Sequence, residues 1–294
     1  MIIIRPAEIT DSNLTSNVTE TYSAWSSVTA YTSASAPVTY NQSVYQAIAN
    51  TTNNNPETDP AAATYWTRIE PMNKWAMFDT QTSTVSTRAS NITVTVQPSG
   101  TADSVALFYV SASAVNVTVS DGVDEYYNED FSLTDNSGIE DWYFYFFEPI
   151  VRKTEFYVSG LPNLYNPEIT ITTTGTGTVE IGHCVVGFSR DPGDTAYGAQ
   201  VGFTDYSKIE VDALGVPESI TPRAFVRSNR FTVWVEAAKV DYVINLLASY
   251  RATPVAVIGS DEYTSTFGFG LLKAGYMAIS YPSHSVIDVE LQGF

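Results

Sequence analysis

The sequence predicts a mainly β protein. Small polar, β-branched and aromatic residues are abundant while only 16% of the 294 residues are charged, a composition typical of strands and turns. Several short runs alternate apolar and polar residues, and turn-rich clusters separate them. One stretch, residues 237–251, has apolar residues at helical spacing. We therefore expect strands to build most of the chain, with one helix near its end.

The first 20 residues predict an extended arm. They show no helical period, and the apolar run Ile2, Ile3, Ile4 is followed at once by Arg5 and Pro6, so it is too short for a secretory leader or a membrane span. We expect synthesis in a cytoplasm. The three isoleucines are expected to add to a sheet edge and, in an oligomer, to serve as interface residues along a neighbouring subunit.

Residues 21–71 predict a small aromatic-rich domain. Two short β runs, residues 37–40 and 43–47, flank Asn41-Gln42, a spacing typical of a tight hairpin in which Asn41 adopts a left-handed conformation. A domain of about fifty residues cannot bury a large core, so a few wide rings must provide most of the packing. Trp25 and Trp66 are expected to be the main packing residues of its core.

The rings of this domain follow an ordered motif: Trp25, Tyr31, a Val-x-Tyr hairpin, a Tyr-x-Ala strand, Pro56 and a closing Trp66. The motif covers residues 22–69 and resembles the chitin-binding-type carbohydrate-binding modules of bacterial chitinases. Those modules carry exposed rings after the Tyr-x-Ala strand, where this chain has Ile48-Ala49-Asn50. Core packing is therefore the alternative to glycan binding for the candidate stacking residues, which are Tyr31, Tyr40, Tyr45 and Trp66.

The segment after the module reads Pro71-Met72-Asn73-Lys74-Trp75-Ala76-Met77-Phe78-Asp79. Here the chain is similar to bacteriophage tail proteins, in which modules of this shape serve as adaptors. The resemblance implies a virion tail component that is made in the host cytoplasm and contacts other tail proteins. It extends to three later segments, which are Asp205-Tyr206-Ser207-Lys208, Asp212 with Gly215, and Leu246-Leu247 with Arg251-Ala252-Thr253-Pro254.

Residues 72–192 predict a β-sandwich of jelly-roll or immunoglobulin-like type. Residues 91–96, 115–119 and 169–172 alternate cleanly, whereas 105–110 is nearly all apolar and should be buried on both faces. The aromatic run of residues 142–147 is expected to be a strand whose alternate rings face opposite sides. Apolar rings on an uncovered side indicate an interface, for which the candidates are Trp142, Phe144 and Phe146.

Residues 193–294 predict a β-rich C-terminal domain with the one helix, residues 237–251. Residues 231–235 and 255–258 are expected to be the strands on either side of it. The connection is long enough for a crossover between parallel strands, although an antiparallel return fits equally. The face expected to pack the helix consists of Val240, Val243, Ile244 and Leu247.

No catalytic, metal-binding or phosphate-binding motif is evident. His183 and Cys184 are adjacent and would point to opposite faces of a strand, so we expect a packed thiol beside a surface imidazole. The other histidine is His284. The acidic stretch 121–141 could supply Ca²⁺ ligands or a carboxylate pair for glycoside hydrolysis, but it lacks EF-hand spacing, and a solvated loop is the main interpretation. We expect no enzyme activity, no metal and no cofactor.

The charge balance bears on partners. The 32 acidic and 14 basic residues give a net charge of −18, which argues against a nucleic-acid-binding surface. Three functions remain: a structural tail or baseplate protein, a tail protein that recognises a host surface glycan, and a glycan-degrading enzyme. The first is favoured because no catalytic constellation is visible, and it predicts a homo-oligomer that acts through protein–protein assembly in the virion tail.

Overall fold

The computed structural model describes residues 1–80, 84–135, 139, 141–147, 149, 151–211, 217–222, 225–279 and 281–293. Strands dominate, and the longest described α-helix lies near the C-terminus, so the mainly β prediction is confirmed. Within these ranges no helix is both long and apolar enough to cross a membrane.

Residues 1–80 divide between a large sheet and a small module. The elements are β1 (Ile2–Pro6), β2 (Leu14–Ser16), β3 (Ala30–Tyr31), β4 (Val38–Tyr40), β5 (Ser43–Ala47), β6 (Thr51–Thr52), α1 (Ala62–Tyr65), β7 (Trp66–Pro71) and a 3₁₀ turn, Ala76–Phe78. The module's sheet has the order β4-β5-β7, with β3 and β6 paired beside it. The predicted β4–β5 hairpin is confirmed, because Asn41 and Gln42 both have positive φ, 41° and 67°, as a two-residue hairpin turn requires.

A sandwich-like unit follows the module. Its elements are β8 (Ser86–Val96), β9 (Ser104–Ser111), β10 (Ala114–Ser120), β11 (Glu125–Ser132), β12 (Thr134–Asp135), α2 (Trp142–Phe147), β13 (Val151–Arg152), β14 (Phe156–Ser159) and β15 (Glu168–Arg190). The prediction that residues 142–147 form a strand is wrong. The Asp141 carboxylate accepts a hydrogen bond from the Tyr143 amide at 2.8 Å, and the Tyr145 amide donates to the Asp141 carbonyl, so Asp141 starts a helix.

The C-terminal unit contains the remaining elements: β16 (Asp194–Thr195), β17 (Gln200–Asp205), β18 (Lys208–Val211), β19 (Pro217–Thr221), β20 (Phe225–Glu236), a 3₁₀ turn (Ala237–Lys239), α3 (Val240–Ser249), β21 (Val255–Ile258), a 3₁₀ turn (Thr264–Thr266), β22 (Phe267–Ala278) and β23 (His284–Gly293). All strand pairs here are antiparallel, in the order β1-β21-β22-β23-β20. Three successive antiparallel pairs separate β21 from β20, so the chain returns antiparallel after α3 and the parallel crossover is excluded.

One long strand, β15, organises the sandwich-like unit. Its first half pairs with β8 on one edge and β10 on the other, and its second half pairs with β9. The β8–β15 register shifts between Thr174 and Thr178, opposite Ser90, whose φ is 69°. On the other edge of β15, pairing with β10 ends at Thr174 and pairing with β9 begins at Glu180. Such irregularities bend a sheet. Residues from both halves of β15, Ile171 and Cys184 among them, consequently enter one core cluster.

The N-terminal strand β1 lies in the middle of the large sheet, between β15 and β21. Ile3 and Ile4 are fully buried, Ile3 in the core of the C-terminal unit and Ile4 in the cluster that joins this unit to the sandwich-like unit, while Ile2 is partly buried in the joining cluster. A Cβ at Gly187 would collide with the Arg5 carbonyl oxygen, so only glycine permits this approach. The three isoleucines thus join a sheet as expected, but in its middle and not at its edge. The expectation that they lie along a neighbouring subunit is wrong for Ile3 and Ile4, because both are buried within their own chain.

The helix α3 packs on one face of the C-terminal sheet. Val243 is its buried residue, and Val240, Leu246 and Leu247 pack partly buried against the same core. The predicted packing face is correct except at Ile244, which is 38% exposed. Leu246 packs against the core in place of Ile244, because the buried face of the helix is rotated by part of a turn from the predicted face.

The position of β1 makes a stability prediction. Replacing Ile4 by Ala should lower the free energy of unfolding by about 2–5 kcal/mol, because a fully buried side chain leaves a cavity between the two units. Ile48→Ala, at a half-exposed position of the small module, is the control and should change stability little. Urea denaturation of both variants checks this, and equal, small effects would show that β1 is not part of the core.

Candidate functional site

The rings of the small module form its core. Tyr31, Tyr45 and Trp66 are buried, with the Tyr31 and Trp66 ring centroids 5.2 Å apart and nearly edge to face. The indole nitrogen of Trp66 donates to the Asn54 carbonyl at 3.0 Å, and Tyr40 packs partly buried against Trp25. Buried rings offer no face to a sugar, so the glycan-stacking prediction is wrong for Tyr31, Tyr45 and Trp66. The core-packing alternative holds for these residues.

His183 and Cys184 are both buried in β15, which corrects the expectation of a surface imidazole. The His183 ring lies between the rings of Tyr109 and Phe269, with centroids 6.0 Å and 4.9 Å away. Loss of hydration lowers the pKa of His183 to about 4 and raises the pKa of the Cys184 thiol to about 12. At neutral pH the imidazole is uncharged and the thiol protonated, so the pair serves packing.

The acidic stretch is largely a strand, which corrects the interpretation as a solvated loop. β11 pairs with β10 on one side and forms an edge of the large sheet. The Asp121 carboxylate accepts hydrogen bonds from the Val123 and Asp124 amides and from the Tyr126 hydroxyl, and these bonds lower its pKa. Among the residues that the structure describes, no group of three or more His, Cys, Asp or Glu side chains could hold a metal ion.

A long hairpin projects from the C-terminal sheet. We use this name for the described residues of β17, β18, β19 and the first half of β20, up to Arg230. β17 pairs with residues 225–230 of β20, and β18 pairs with β19. β23 begins to pair with β20 only at Ser228, so the rest of the hairpin has no third strand in the described structure. Every residue of β17 is exposed, and Phe203 is 71% exposed.

The base of the long hairpin is tied to the sandwich-like unit by an ion pair. The Arg227 guanidinium lies 2.6 Å from a carboxylate oxygen of Glu155, whose side chain is 7% exposed. The same guanidinium lies 5.8 Å from the ring centroid of Tyr109, within range of a cation–π contact. Arg227 therefore links the hairpin base to residues of the sandwich-like unit.

The helix α2 exposes a second apolar surface, the aromatic helix. Its Trp142 and Phe146 rings stack with centroids 6.1 Å apart, and Tyr143 contacts Phe147 at 5.0 Å. These four side chains and that of Tyr145 are each more than half exposed. The predicted interface residues Trp142 and Phe146 are thus at the surface, whereas the side chain of Phe144 lies outside the described part of the structure.

A third apolar surface, the outer aromatic face, lies on the side of the C-terminal sheet opposite α3. It consists of Trp234, Tyr276, Tyr281 and His284. The His284 ring stacks on Tyr281 at 4.6 Å and lies 5.5 Å from Trp234. Beside them, the Thr232 hydroxyl donates to Asp288 at 2.7 Å and Arg230 pairs with Glu290 at 3.0 Å. Rings and paired polar groups therefore share one rigid sheet face.

The whole surface is large for one chain. The solvent-accessible area is 16123 Å² for 32.1 kDa. A compact monomer of this mass exposes roughly 12,000 Å².

Comparison with known proteins adds no relative. No family model matches the chain, and searches of curated proteins and of solved structures found no significant match.

Two of the three surfaces were missed from the sequence although it carries signals for them. In residues 231–235, strict alternation puts Phe231, Val233 and Val235 inward, which leaves Trp234 outward. In residues 200–211, apolar and polar residues alternate at Val201 and Phe203 and again at Ile209. Alternation does not show whether the apolar side of a strand is covered, because the covering element is distant in sequence.

The hairpin anchor yields a prediction with a matched control. Arg227→Ala should lower the free energy of unfolding by about 3–5 kcal/mol, because it leaves the Glu155 carboxylate buried without its charge partner. Arg230 is in the same strand as Arg227 and forms an exposed ion pair with Glu290 of β23, so Arg230→Ala should lower the free energy of unfolding by less than about 1 kcal/mol. Denaturant titration of both variants tests the difference, and equal costs would contradict the anchor.

Burial of His183 predicts an acid-sensitive contribution to stability. The folded-state pKa is about 4 and the ordinary value is 6.5, so between these pH values the unfolded chain binds a proton that the folded chain does not. The contribution is complete above pH 6.5 and is lost as the pH falls towards 4, by up to about 3 kcal/mol. His183→Phe, which keeps a ring at this position, should show a weaker pH dependence in denaturation between pH 7 and 4.5. Parallel pH curves for the two proteins would rule this contribution out.

Proposed function

We propose that this protein is a structural component of a bacteriophage tail, without enzyme activity, that acts through assembly with copies of itself and with other tail proteins. The observation that carries the proposal is the large uncovered apolar surface, which includes the long hairpin and the aromatic helix. A chain that remained a monomer would expose these rings to water at a substantial cost in free energy. The tail assignment itself comes from the resemblance of residues 22–79 to adaptor modules of phage tails.

The small module supports an adaptor role in this proposal. Most of its rings pack in its own core. The segments that precede and follow the module are held together, because the Glu20 carboxylate accepts hydrogen bonds from the Asn73 and Lys74 amides at 2.9 and 2.8 Å. A module fixed at both of its ends can hold a neighbouring protein at a defined position. The proposed site of action is the virion tail, after synthesis in the host cytoplasm.

The acidic surface limits the partners in the proposed role. A net charge of −18 disfavours contact with nucleic acid, which is itself highly charged and negative. Protein partners with apolar or basic patches suit the surface better.

Glycan recognition is the second candidate function, and the outer aromatic face is the observation that favours it. Trp234 and Tyr276 are 54% and 81% exposed on a rigid sheet, next to the hydrogen-bonded groups of Thr232 and Asp288. Flat rings flanked by such polar groups suit a sugar, whose ring has apolar faces and a hydroxyl rim. This observation supports glycan binding at the C-terminal sheet in preference to the small module.

One experiment separates these two functions. Sedimentation and negative-stain microscopy of the purified chain should show a closed homo-oligomer, and antibodies against the chain should label the tails of the virions that contain it. A monomer at every concentration, together with selective binding on a glycan array that Trp234→Ala abolishes and Trp142→Ala does not, would replace the structural proposal by glycan recognition.

A further inference from the structure

A cavity lies at the base of the long hairpin, where the hairpin meets the sandwich-like unit. Its volume is about 390 Å³, which falls within the range of small-molecule sites, roughly 300–1,000 Å³. It is lined by Glu155, Arg227, Thr264, Ser265 and residues 201–203 of β17. The cavity therefore combines charged groups, hydroxyl groups and apolar side chains.

The Glu155 carboxylate in this cavity has unused hydrogen-bonding capacity. Its Oε1 atom lies 2.6 Å from a guanidinium nitrogen of Arg227 without accepting an aligned hydrogen bond, so this contact is an ion pair only. Its Oε2 atom accepts a hydrogen bond from the Thr154 hydroxyl at 2.8 Å. A carboxylate has about four acceptor positions, and a buried polar atom without a hydrogen bond is rare in a folded protein. A ligand that donates a hydrogen bond in the cavity would supply the missing partner.

The Arg227 guanidinium offers donors beside this acceptor. A guanidinium carries five N–H groups, and the ion pair with Glu155 uses one of its nitrogens. The cation–π contact with Tyr109 gives the guanidinium a second attachment. Tyr109 itself has φ 55° within β9, and a Cβ at Gly182 of the paired strand β15 would come within 2.7 Å of the Tyr109 Cβ. Such costly backbone conformations are concentrated at functional sites.

A second cavity adjoins the first and adds exposed tyrosine rings. Its volume is about 510 Å³, it shares Val201 and Ser265 with the first cavity, and it is also lined by Tyr197, Glu262 and Tyr263. Tyr197 is fully exposed and Tyr263 is 57% exposed. We call the two cavities together the hairpin-base groove. Aromatic faces suit the apolar faces of sugar rings, so the groove combines ring surfaces with an adjacent donor and acceptor.

The charges of the groove select a neutral ligand. Its lining contains the carboxylates of Glu155 and Glu262 and the guanidinium of Arg227, and the chain carries a net charge of −18, so an anionic ligand would be repelled. A cationic or zwitterionic ligand would have to compete with the buried ion pair, in which each charge already has its partner. Neutral hydroxyl groups need only the lone pairs and N–H groups that the ion pair leaves free.

We propose that the hairpin-base groove binds a neutral oligosaccharide. Glu155 accepts a hydrogen bond from one sugar hydroxyl, Arg227 donates to the oxygen of a neighbouring hydroxyl, and a further sugar ring lies on Tyr263. The groove shares no residue with the outer aromatic face. The proposal is independent of the tail assignment and of assembly.

Arg227→Lys tests the site while keeping the charge of the ion pair. Lysine lacks the planar set of N–H donors, so the chain should still fold, as circular dichroism can check, while the sugar hydroxyls lose their partner. The whole chain is applied to an array of neutral and sialylated oligosaccharides, and the Kd of the best neutral glycan is measured by calorimetry. We expect neutral glycans to bind, and Arg227→Lys to weaken binding at least about tenfold. Arg251→Lys, at an exposed arginine outside the groove, is the control and should bind like the wild type.

A second variant tests the shape of the groove. Ser265 is exposed and lines both cavities, so Ser265→Leu narrows the groove without changing the core and should also weaken binding. Absence of binding to every neutral glycan, a preference for sialylated glycans, or an unchanged Kd in both variants would overturn the proposal. Loss of binding in Trp234→Ala alone would assign the sugar to the outer aromatic face instead. A chain that binds through the groove but stays monomeric would overturn the assembly proposal and support this one.

Discussion

The fold depends on backbone hydrogen bonds at one seam, where β1 fills the space between β15 and β21. Without this strand, the buried edges of both neighbours would have unpaired amide and carbonyl groups, each of which costs free energy away from water. Ile3 and Ile4 point to opposite faces of the seam and so enter two different cores. The N-terminal strand β1 therefore joins the sandwich-like unit and the C-terminal unit into one continuous sheet, although both units are formed by residues far along the sequence.

The edges of that sheet are treated in opposite ways. β11 carries Glu125, Glu129 and Asp130, and an acidic edge prevents pairing with further strands. β17, at another edge, has no such charges before Asp205 and exposes Val201 and Phe203. A protein that protects one edge and leaves another apolar is suited to contact at the second. The aromatic helix and the outer aromatic face add apolar surface outside these edges.

Local signals in the sequence were sufficient to predict most of the fold but little of the candidate site. Alternation predicted the strands of the sandwich-like unit, and Asn41-Gln42 predicted the hairpin turn of the small module, because both signals depend on neighbouring residues. The arm was misjudged because the partners of β1 lie about 190 and 250 residues away. Residues 142–147 were predicted to be a strand because aromatic residues favour strands by propensity. The structure has a helix there, which the Asp141 carboxylate caps at its N-terminus. Burial of Tyr31, Tyr45 and Trp66 likewise follows from packing that the motif alone does not specify.

The rigidity of the seam gives the exposed hairpin a direction. β20 is at once the inner strand of the C-terminal sheet and one arm of the hairpin, so the hairpin cannot rotate without breaking the β20–β23 ladder. The Arg227–Glu155 pair adds a second attachment, to the sandwich-like unit on the other side of the seam. A projection held at two points therefore keeps a defined direction relative to the sheet. The pairing of β1 with both units and the direction of the hairpin are in this way parts of one constraint.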